Sequence, residues 1–135
     1  MSSPVDWEPL AERAWAARKS AYAPYSRFSV GAALMARSGE IFTGCNVENV
    51  SFGLTICAER AAMVSAVEAG FRGFIGLAVV AETNAPVVPC GACRQFLAEF
   101  EPSLAIFCVG SNGVHVEVSL ATLLPSPFQE LPTRG

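Results

Sequence analysis

Three cysteines in two separate segments constrain the fold of this chain more than any other feature. Cys57 lies in the segment TICAER, and Cys90 and Cys93 lie some thirty residues later in PCGACRQ. Each segment alone is a weak signal, because Cys-x-x-Cys also occurs in redox and structural zinc sites. In this order and at this spacing, the three thiolates predict one zinc site whose fourth tetrahedral position is left for water.

Both cysteine segments are predicted to open helices, over residues 57–69 and 90–100. Helix N-termini present unpaired backbone N–H groups and the positive end of the helix dipole, which stabilise thiolates. Cys90 and Cys93 are three residues apart, so their side chains share one helix face. The position of all three thiols therefore agrees with metal ligation.

Charged residues beside the cysteines are candidates for the chemistry. Glu59 is predicted to be a general base, since a capping-box carboxylate would need Ser or Thr at the position of Ile56. Arg60 is predicted to donate to the sulfurs and withdraw charge from the metal. For Arg94 this role and an ordinary surface ion pair are both open. His115, the only histidine, is predicted to lie on the last strand, away from the site.

The hydrophobic pattern predicts an α/β fold in one domain, residues 1–135. A tetrapeptide, residues 110–113, joins the last two strands, and a connection that short permits only an antiparallel pair. The order of elements predicts a mixed sheet flanked by helices. The predicted helices are 7–20, 57–69, 90–100 and a short one at 119–124, and the predicted strands are 28–36, 41–46, 74–81, 104–109 and 114–118.

Composition limits the possible partners. Nine Lys and Arg against twelve Asp and Glu give a net charge of −3, which offers no electrostatic reason to expect nucleic acid or an anionic membrane. The apolar run at 74–81 is far too short to span a bilayer, and the N-terminus lacks the pattern of a signal peptide. Five cysteines, an odd number, indicate reduced thiols and a cytoplasmic location. Because 52% of residues are hydrophobic and 16% are charged, we expect subunit contacts.

Three further residues are candidates for binding a ligand. Asn46 and Glu48 alternate along or just beyond a strand, so both side chains are expected to point the same way. An amide and a carboxylate together can bind vicinal hydroxyls, but the same residues often cap turns, and both interpretations are open. Phe28 is either a core residue or an aromatic ring that stacks on a flat ligand.

Several segments of the chain resemble the small cytidine deaminases of nucleoside salvage, the homotetrameric all-cysteine type. The similarity covers about residues 8–128, and Phe52 stands where that family commonly has tyrosine. The segments that carry it are YAPYSRFSVGAA, GCNVEN, CAER, PCGACRQ and a C-terminal Leu-Leu-Pro followed by Phe128.

The resemblance implies a three-layer α-β-α fold with a five-stranded mixed sheet, and Zn²⁺ as the only cofactor. It implies hydrolytic deamination of cytidine or deoxycytidine in pyrimidine salvage, with Glu59 moving the protons. It also implies roles in substrate binding: Asn46 and Glu48 hold the ribose, Phe28 packs against the pyrimidine, the Ala58 backbone N–H meets the ring carbonyl, and Phe128 closes a neighbouring subunit's pocket.

Two alternatives to this function are considered. The first is a deaminase of the same fold that acts on blasticidin S, free cytosine or a nucleotide. Blasticidin deaminases lack the Asn-x-Glu pair, and a nucleotide would need a basic phosphate pocket that no Lys/Arg cluster near the motifs provides. The second is a structural zinc module, in which Cys45 or Cys108 supplies a fourth ligand and closes the site.

Overall fold

The computed structural model describes residues 5–131, whose helices and strands follow the predicted order. Two short 3₁₀ turns, Phe52–Leu54 and Ser111–Gly113, lie between the regular elements. The helices are α1 Trp7–Arg18, α2 Ala58–Glu68, α3 Gly91–Ala98 and α4 Leu120–Leu123, and the strands are β1 Val30–Ala36, β2 Ile41–Cys45, β3 Phe74–Ala81, β4 Ala105–Val109 and β5 His115–Ser119.

The five strands form one mixed sheet in the order β2-β1-β3-β4-β5. Neighbouring strands are antiparallel except β3 and β4, which are parallel. A parallel pair needs a long crossover connection, and the chain between β3 and β4 contains α3. The predicted antiparallel pairing of the last two strands is confirmed, with Val109 opposite His115.

Helices cover both faces of the sheet, because side chains alternate along its buried strands. On β1, Leu34 packs in the cluster that includes Met63 of α2 and Leu97 of α3. The adjacent Ala33 packs on the opposite face, in the cluster that contains Leu10 of α1. The predicted three-layer α-β-α fold is therefore confirmed. Within residues 5–131, no helix combines the length and the apolarity needed to cross a membrane.

The predicted boundaries differ from the observed ones by one or two residues, as is usual at element ends. Two differences have a specific cause. Strand β1 begins at Val30 rather than Phe28, because the side chain of Asn46 takes up the Phe28 carbonyl and the Val30 N–H. Helices α2 and α3 begin one residue later than predicted, because Cys57 and Cys90 have extended backbone angles at the N-cap position.

Helix α2 packs unusually close to strand β2 at Gly44. A Cβ atom at Gly44 would lie 2.5 Å from the Ala58 carbonyl oxygen and 2.5 Å from the Ala62 nitrogen. Both contacts are with backbone atoms, which cannot rotate away as the end of a side chain can. Glycine at this position therefore fixes how close the first turn of α2 lies to the sheet.

We expect Gly44→Ala to lower the free energy of unfolding by about 1–3 kcal/mol, because the added methyl group overpacks the contact with α2. The same change should weaken zinc binding, since α2 begins next to Cys57. Thermal unfolding at matched protein concentration measures the first effect, and analysis of the bound zinc measures the second. Gly53→Ala is the control, because a Cβ there meets nothing within 4 Å. Equal effects of the two substitutions would contradict the explanation.

Candidate metal centre and active site

The three predicted cysteines converge at one point of the fold. Ligand atoms of Cys57, Cys90 and Cys93 all lie within 4.8 Å of one another, and the sulfurs of Cys90 and Cys93 are 3.5 Å apart. Cys57 and Cys90 are the N-cap residues of α2 and α3, and Cys93 lies in the first turn of α3. The prediction that both helix starts supply ligands to one site agrees with this geometry.

The chemistry of this donor set fits a zinc ion. Three thiols with no carboxylate among them form a soft set that zinc prefers over hard cations such as Mg²⁺. A hydrogen bond from the Cys93 thiol, supported by the Arg60 guanidinium, lowers the pKa of Cys57 to about 5, although partial burial opposes the shift. The same donated proton raises the pKa of Cys93. Because a metal ligand must be deprotonated, the site is already polarised toward thiolate at Cys57.

Arg60 makes the contact with sulfur that the sequence predicts. Its Nη2 atom donates to the Thr55 carbonyl oxygen at 3.1 Å and lies 3.7 Å from the Cys57 sulfur. Its buried Nε atom has no hydrogen-bond partner among residues 5–131. The side chain therefore holds a positive charge against the sulfur and braces the chain that leads into α2.

Arg94 has a different role from either of the two left open by the sequence. Its Nε atom donates to the Pro89 carbonyl oxygen at 2.7 Å, and its Nη1 atom donates to the Leu123 carbonyl oxygen at 3.1 Å. Arg94 therefore ties the segment before Cys90 to the end of α4. Leu123 lies 29 residues away along the chain, so the local sequence does not indicate this contact.

Glu59 is a buried carboxyl group, with only 6% of its surface exposed. Burial disfavours the charged form and, with a smaller effect from the negative charge of Cys57, raises the pKa of Glu59 to about 7. A carboxylate that merely stabilised a helix start would lie in solvent, where the ionised form is well hydrated. The position of Glu59 therefore favours proton transfer over helix capping.

A cavity of about 200 Å³ lies beside the cysteines. Its walls include Phe28, Asn46, Ala58 and Glu59 from the predicted set, together with Cys57 and Cys90, so the structure brings most of the predicted site residues together. Five further residues line the cavity, of which Thr55 is polar and the other four are apolar. The signal of the apolar four in the sequence is weak, because such residues also fit a core: Val30, Val79, Val87 and Val88.

Glu48 lines a second, neighbouring cavity of about 440 Å³ rather than the first one. The two cavities share Thr55 as a common wall. Asn46 is buried, whereas Glu48 is only half-buried. Their side chains thus reach adjoining parts of one larger depression, although the sequence predicts only that they point to the same side.

Phe128 lies outside both cavities of its own chain, and 64% of its surface is exposed. Its backbone is held by the Gln95 side chain, which donates to the Phe128 carbonyl oxygen at 2.7 Å and accepts from the Phe128 N–H at 3.1 Å. The ring is therefore presented to solvent by a fixed backbone, and within one chain it does not close the cavity.

A closed structural zinc site finds no support in this geometry. Among residues 5–131, the only group of three or more possible metal ligands within reach of one another is the one formed by Cys57, Cys90 and Cys93. Cys108 is fully buried on β4, and burial raises its pKa to about 12. A metal at the three thiols thus keeps a position for a further ligand, as in catalytic zinc sites.

The fold has three layers, and its helix starts carry a cluster of three thiols and a buried glutamate next to a small cavity. This combination defines a zinc-dependent hydrolase of the deaminase class. The model of the family described as "Cytidine and deoxycytidylate deaminase zinc-binding region" matches residues 6–109. The chain belongs to this family, as the sequence predicts.

Similar proteins agree with this assignment over nearly the whole chain. A cytidine deaminase from Sporosarcina psychrophila is 48% identical over 127 residues, which cover 93% of each chain. The crystal structure of cytidine deaminase from Burkholderia pseudomallei has a TM-score of 0.86 and 50% identity, covering 89% of this chain and 97% of that one. The crystal structure of cytidine deaminase from Mycobacterium tuberculosis has a TM-score of 0.80 and 43% identity, covering 93% and 99%.

We expect Arg60→Ala to move the acidic limb of the pH–rate profile of kcat/KM to higher pH by about one unit, equivalent to about 1.4 kcal/mol. The sign follows because removing the cation leaves more negative charge on the Cys57 sulfur, which makes a water at the metal less acidic. Arg60→Lys should shift the limb less, and Arg94→Ala, which removes no contact with sulfur, should leave its position unchanged. An unshifted profile in Arg60→Ala would show that this arginine only braces the Thr55 carbonyl.

Proposed function

We propose that this enzyme catalyses the hydrolytic deamination of cytidine and deoxycytidine, giving uridine or deoxyuridine and ammonia. The observation that carries the proposal is the convergence of three thiols beside the buried Glu59, in a cavity that Phe28 also lines. The relatives named above carry the name cytidine deaminase.

Cys57, Cys90 and Cys93 would hold the zinc ion. When bound, a zinc ion with an open position acts as a Lewis acid and makes water nucleophilic at neutral pH. Because three thiolates leave the ion with a net charge of −1, Arg60 would offset part of that charge at the Cys57 sulfur.

Glu59 would move the protons of the reaction. A carboxyl group with a pKa of about 7 both accepts and releases a proton readily at neutral pH. It would take one proton from the attacking water and give it to the ring nitrogen next to the reacting carbon. It would then take the second proton from the hydroxyl now on that carbon and give it to the amine, so that the carbon–nitrogen bond breaks, ammonia leaves and the ring carbonyl forms. Burial of this side chain keeps bulk water from competing for the proton.

The remaining polar and aromatic groups would orient the nucleoside. Phe28 would pack against the pyrimidine, and the backbone N–H of Ala58, at the start of α2, would donate to the ring carbonyl. Asn46 already makes two hydrogen bonds, but its amide retains one N–H and one lone pair for a sugar hydroxyl. Glu48 would contribute from the adjoining cavity.

A nucleoside is a better substrate for this site than a nucleotide. Among residues 5–131, those that line the two adjoining cavities include no lysine or arginine, so none of them would neutralise a phosphate group. The Asn-x-Glu pair likewise favours a sugar over free cytosine or blasticidin S.

We further propose that residues 1–135 form one domain, that four copies form a homotetramer with shared active sites, and that the enzyme works in the cytoplasm in pyrimidine salvage. Large apolar side chains in the exposed part of the surface support the association. Phe52, Leu54, Val64 and Phe128 are each more than half exposed within one chain. In the tetramer, Phe128 would close the pocket of a neighbouring subunit.

We expect Glu59→Gln to retain zinc and to bind cytidine, yet to lose about 10²- to 10⁴-fold in kcat, because an amide cannot shuttle protons. Metal analysis, equilibrium binding and the loss of ultraviolet absorbance of cytidine measure the three properties. Glu40→Gln on the exposed turn between β1 and β2 is the matched control and should behave like the wild type. Near-normal kcat in zinc-loaded Glu59→Gln would contradict the assigned role.

We expect Phe128→Ala to raise KM for cytidine without loss of zinc, whereas Leu131→Ala, also at an exposed position, should have little effect. Refolding Phe128→Ala together with inactive Glu59→Gln should recover activity, since each chain supplies what the other lacks. Light scattering gives the mass of the mixed species. A fully active monomer, or no recovery in mixed tetramers, would contradict a shared site.

A further inference from the structure

The segment that carries Phe28, residues 25–30, is held by side chains at both of its ends. At its start, Glu48 Oε1 accepts from the Tyr25 N–H at 3.0 Å and from the Ser26 N–H at 3.1 Å. At its end, Asn46 donates to the Phe28 carbonyl oxygen at 2.7 Å and accepts from the Val30 N–H at 2.9 Å. The two candidate sugar-binding residues therefore also determine where the Phe28 ring lies.

The hydroxyl group of Ser26 links these parts directly. It donates to Glu48 Oε2 and accepts from the Phe28 N–H at 3.0 Å. A serine hydroxyl has one proton and two lone pairs, so it makes both bonds at once without conflict. A hydrogen bond to a charged carboxylate is among the stronger ones, and together these bonds lower the pKa of Glu48. Glu48 is thus ionised and fixed at neutral pH.

Backbone strain within this segment indicates that these contacts hold it in place. Arg27, between Ser26 and Phe28, has a φ angle of +58°, a conformation that costs a non-glycine residue roughly 1–2 kcal/mol. Such a conformation persists only where the surroundings impose it. Without the Ser26 hydroxyl, rotation at Arg27 to an ordinary φ angle would carry the Phe28 ring away from the cavity.

We infer that Ser26 is a positioning residue for this reaction. Its hydroxyl joins the Phe28 backbone to Glu48, so that Phe28, which would bind the base, and Glu48, which would bind the sugar, act as one unit. The inference rests on the proposed function. Ser26 does not line the cavity beside the cysteines, although it lines the adjoining one together with Glu48. Its hydroxyl proton is donated to Glu48 and one of its lone pairs accepts from the Phe28 N–H, so it acts through these two partners. Phe28 and Glu48 would contact the face of the base and the sugar and would move no proton, so losing their alignment weakens ground state and transition state equally. KM rises and kcat is retained.

The test compares Ser26→Ala with Ser29→Ala in the zinc-loaded enzyme. Both changes remove one hydroxyl group from the same segment. Only Ser26→Ala removes hydrogen bonds, because the Ser29 hydroxyl makes none within residues 5–131. Ser26→Ala should raise KM for cytidine about tenfold, which equals about 1.4 kcal/mol, with kcat within about twofold of wild type. Ser29→Ala should change neither constant, and Ser26→Thr, which keeps the hydroxyl, should restore most of the affinity.

A second substrate separates this role from a general structural one. 2′,3′-Dideoxycytidine lacks the hydroxyls that Glu48 and Asn46 would bind, so Ser26→Ala should raise its KM only about threefold or less, through Phe28 alone. Equal increases for both substrates, or a KM for cytidine within twofold of wild type, would overturn the inference. A fall in kcat with loss of zinc would also overturn it.

Hydrogen exchange tests the link independently of catalysis. Backbone amides of residues 25–30 should exchange faster in Ser26→Ala than in Ser29→Ala, measured by mass spectrometry on the zinc-loaded proteins. Glu48→Gln, which replaces an oxygen that accepts from Ser26, should have the same effect if Ser26→Ala does not fold. Unchanged exchange would overturn the link. If the wild type does not deaminate cytidine, the proposed function fails, and exchange still decides the role of Ser26.

Discussion

The meeting of two helix N-termini at one point is the constraint on which the rest of this structure depends. Cys57 and Cys90 occupy N-cap positions that neither side chain caps, so both thiols remain available to a metal. Helices α2 and α3 lie on the same face of the sheet, and Gly44 sets the separation of α2 from β2. A displacement of either helix by an ångström would open the thiol cluster, so close packing on this face serves the site directly.

The same convergence sets the electrostatics of the site. Because Glu59 follows Cys57 by two residues at the start of α2, the packing that buries the thiols also buries this carboxyl group and raises its pKa. Arg60, one residue further, balances the added negative charge at the sulfur. One turn of helix therefore supplies a metal ligand, a proton carrier and a compensating cation, each in a different environment.

The sequence predicts those features of the molecule that depend on local pattern. Spacing identifies the cysteines and Glu59, and apolar runs identify the strands, because burial and helix geometry act over a few residues. Contacts between distant segments were not predictable in this way. Arg94 donates to the carbonyl oxygen of Leu123, 29 residues away. The side-chain amide of Asn46 makes hydrogen bonds with the backbone at Phe28 and Val30. Such contacts follow only from the three-dimensional packing of the loops.

X-ray absorption at the zinc edge measures directly whether three sulfurs hold the metal and leave one position open. For the purified wild type, we expect one zinc per chain with three sulfur neighbours at about 2.3 Å and one oxygen or nitrogen neighbour at about 2.0 Å. Four sulfur neighbours would mean that Cys45 or Cys108 closes the site, and the catalytic interpretation of this structure would then be wrong.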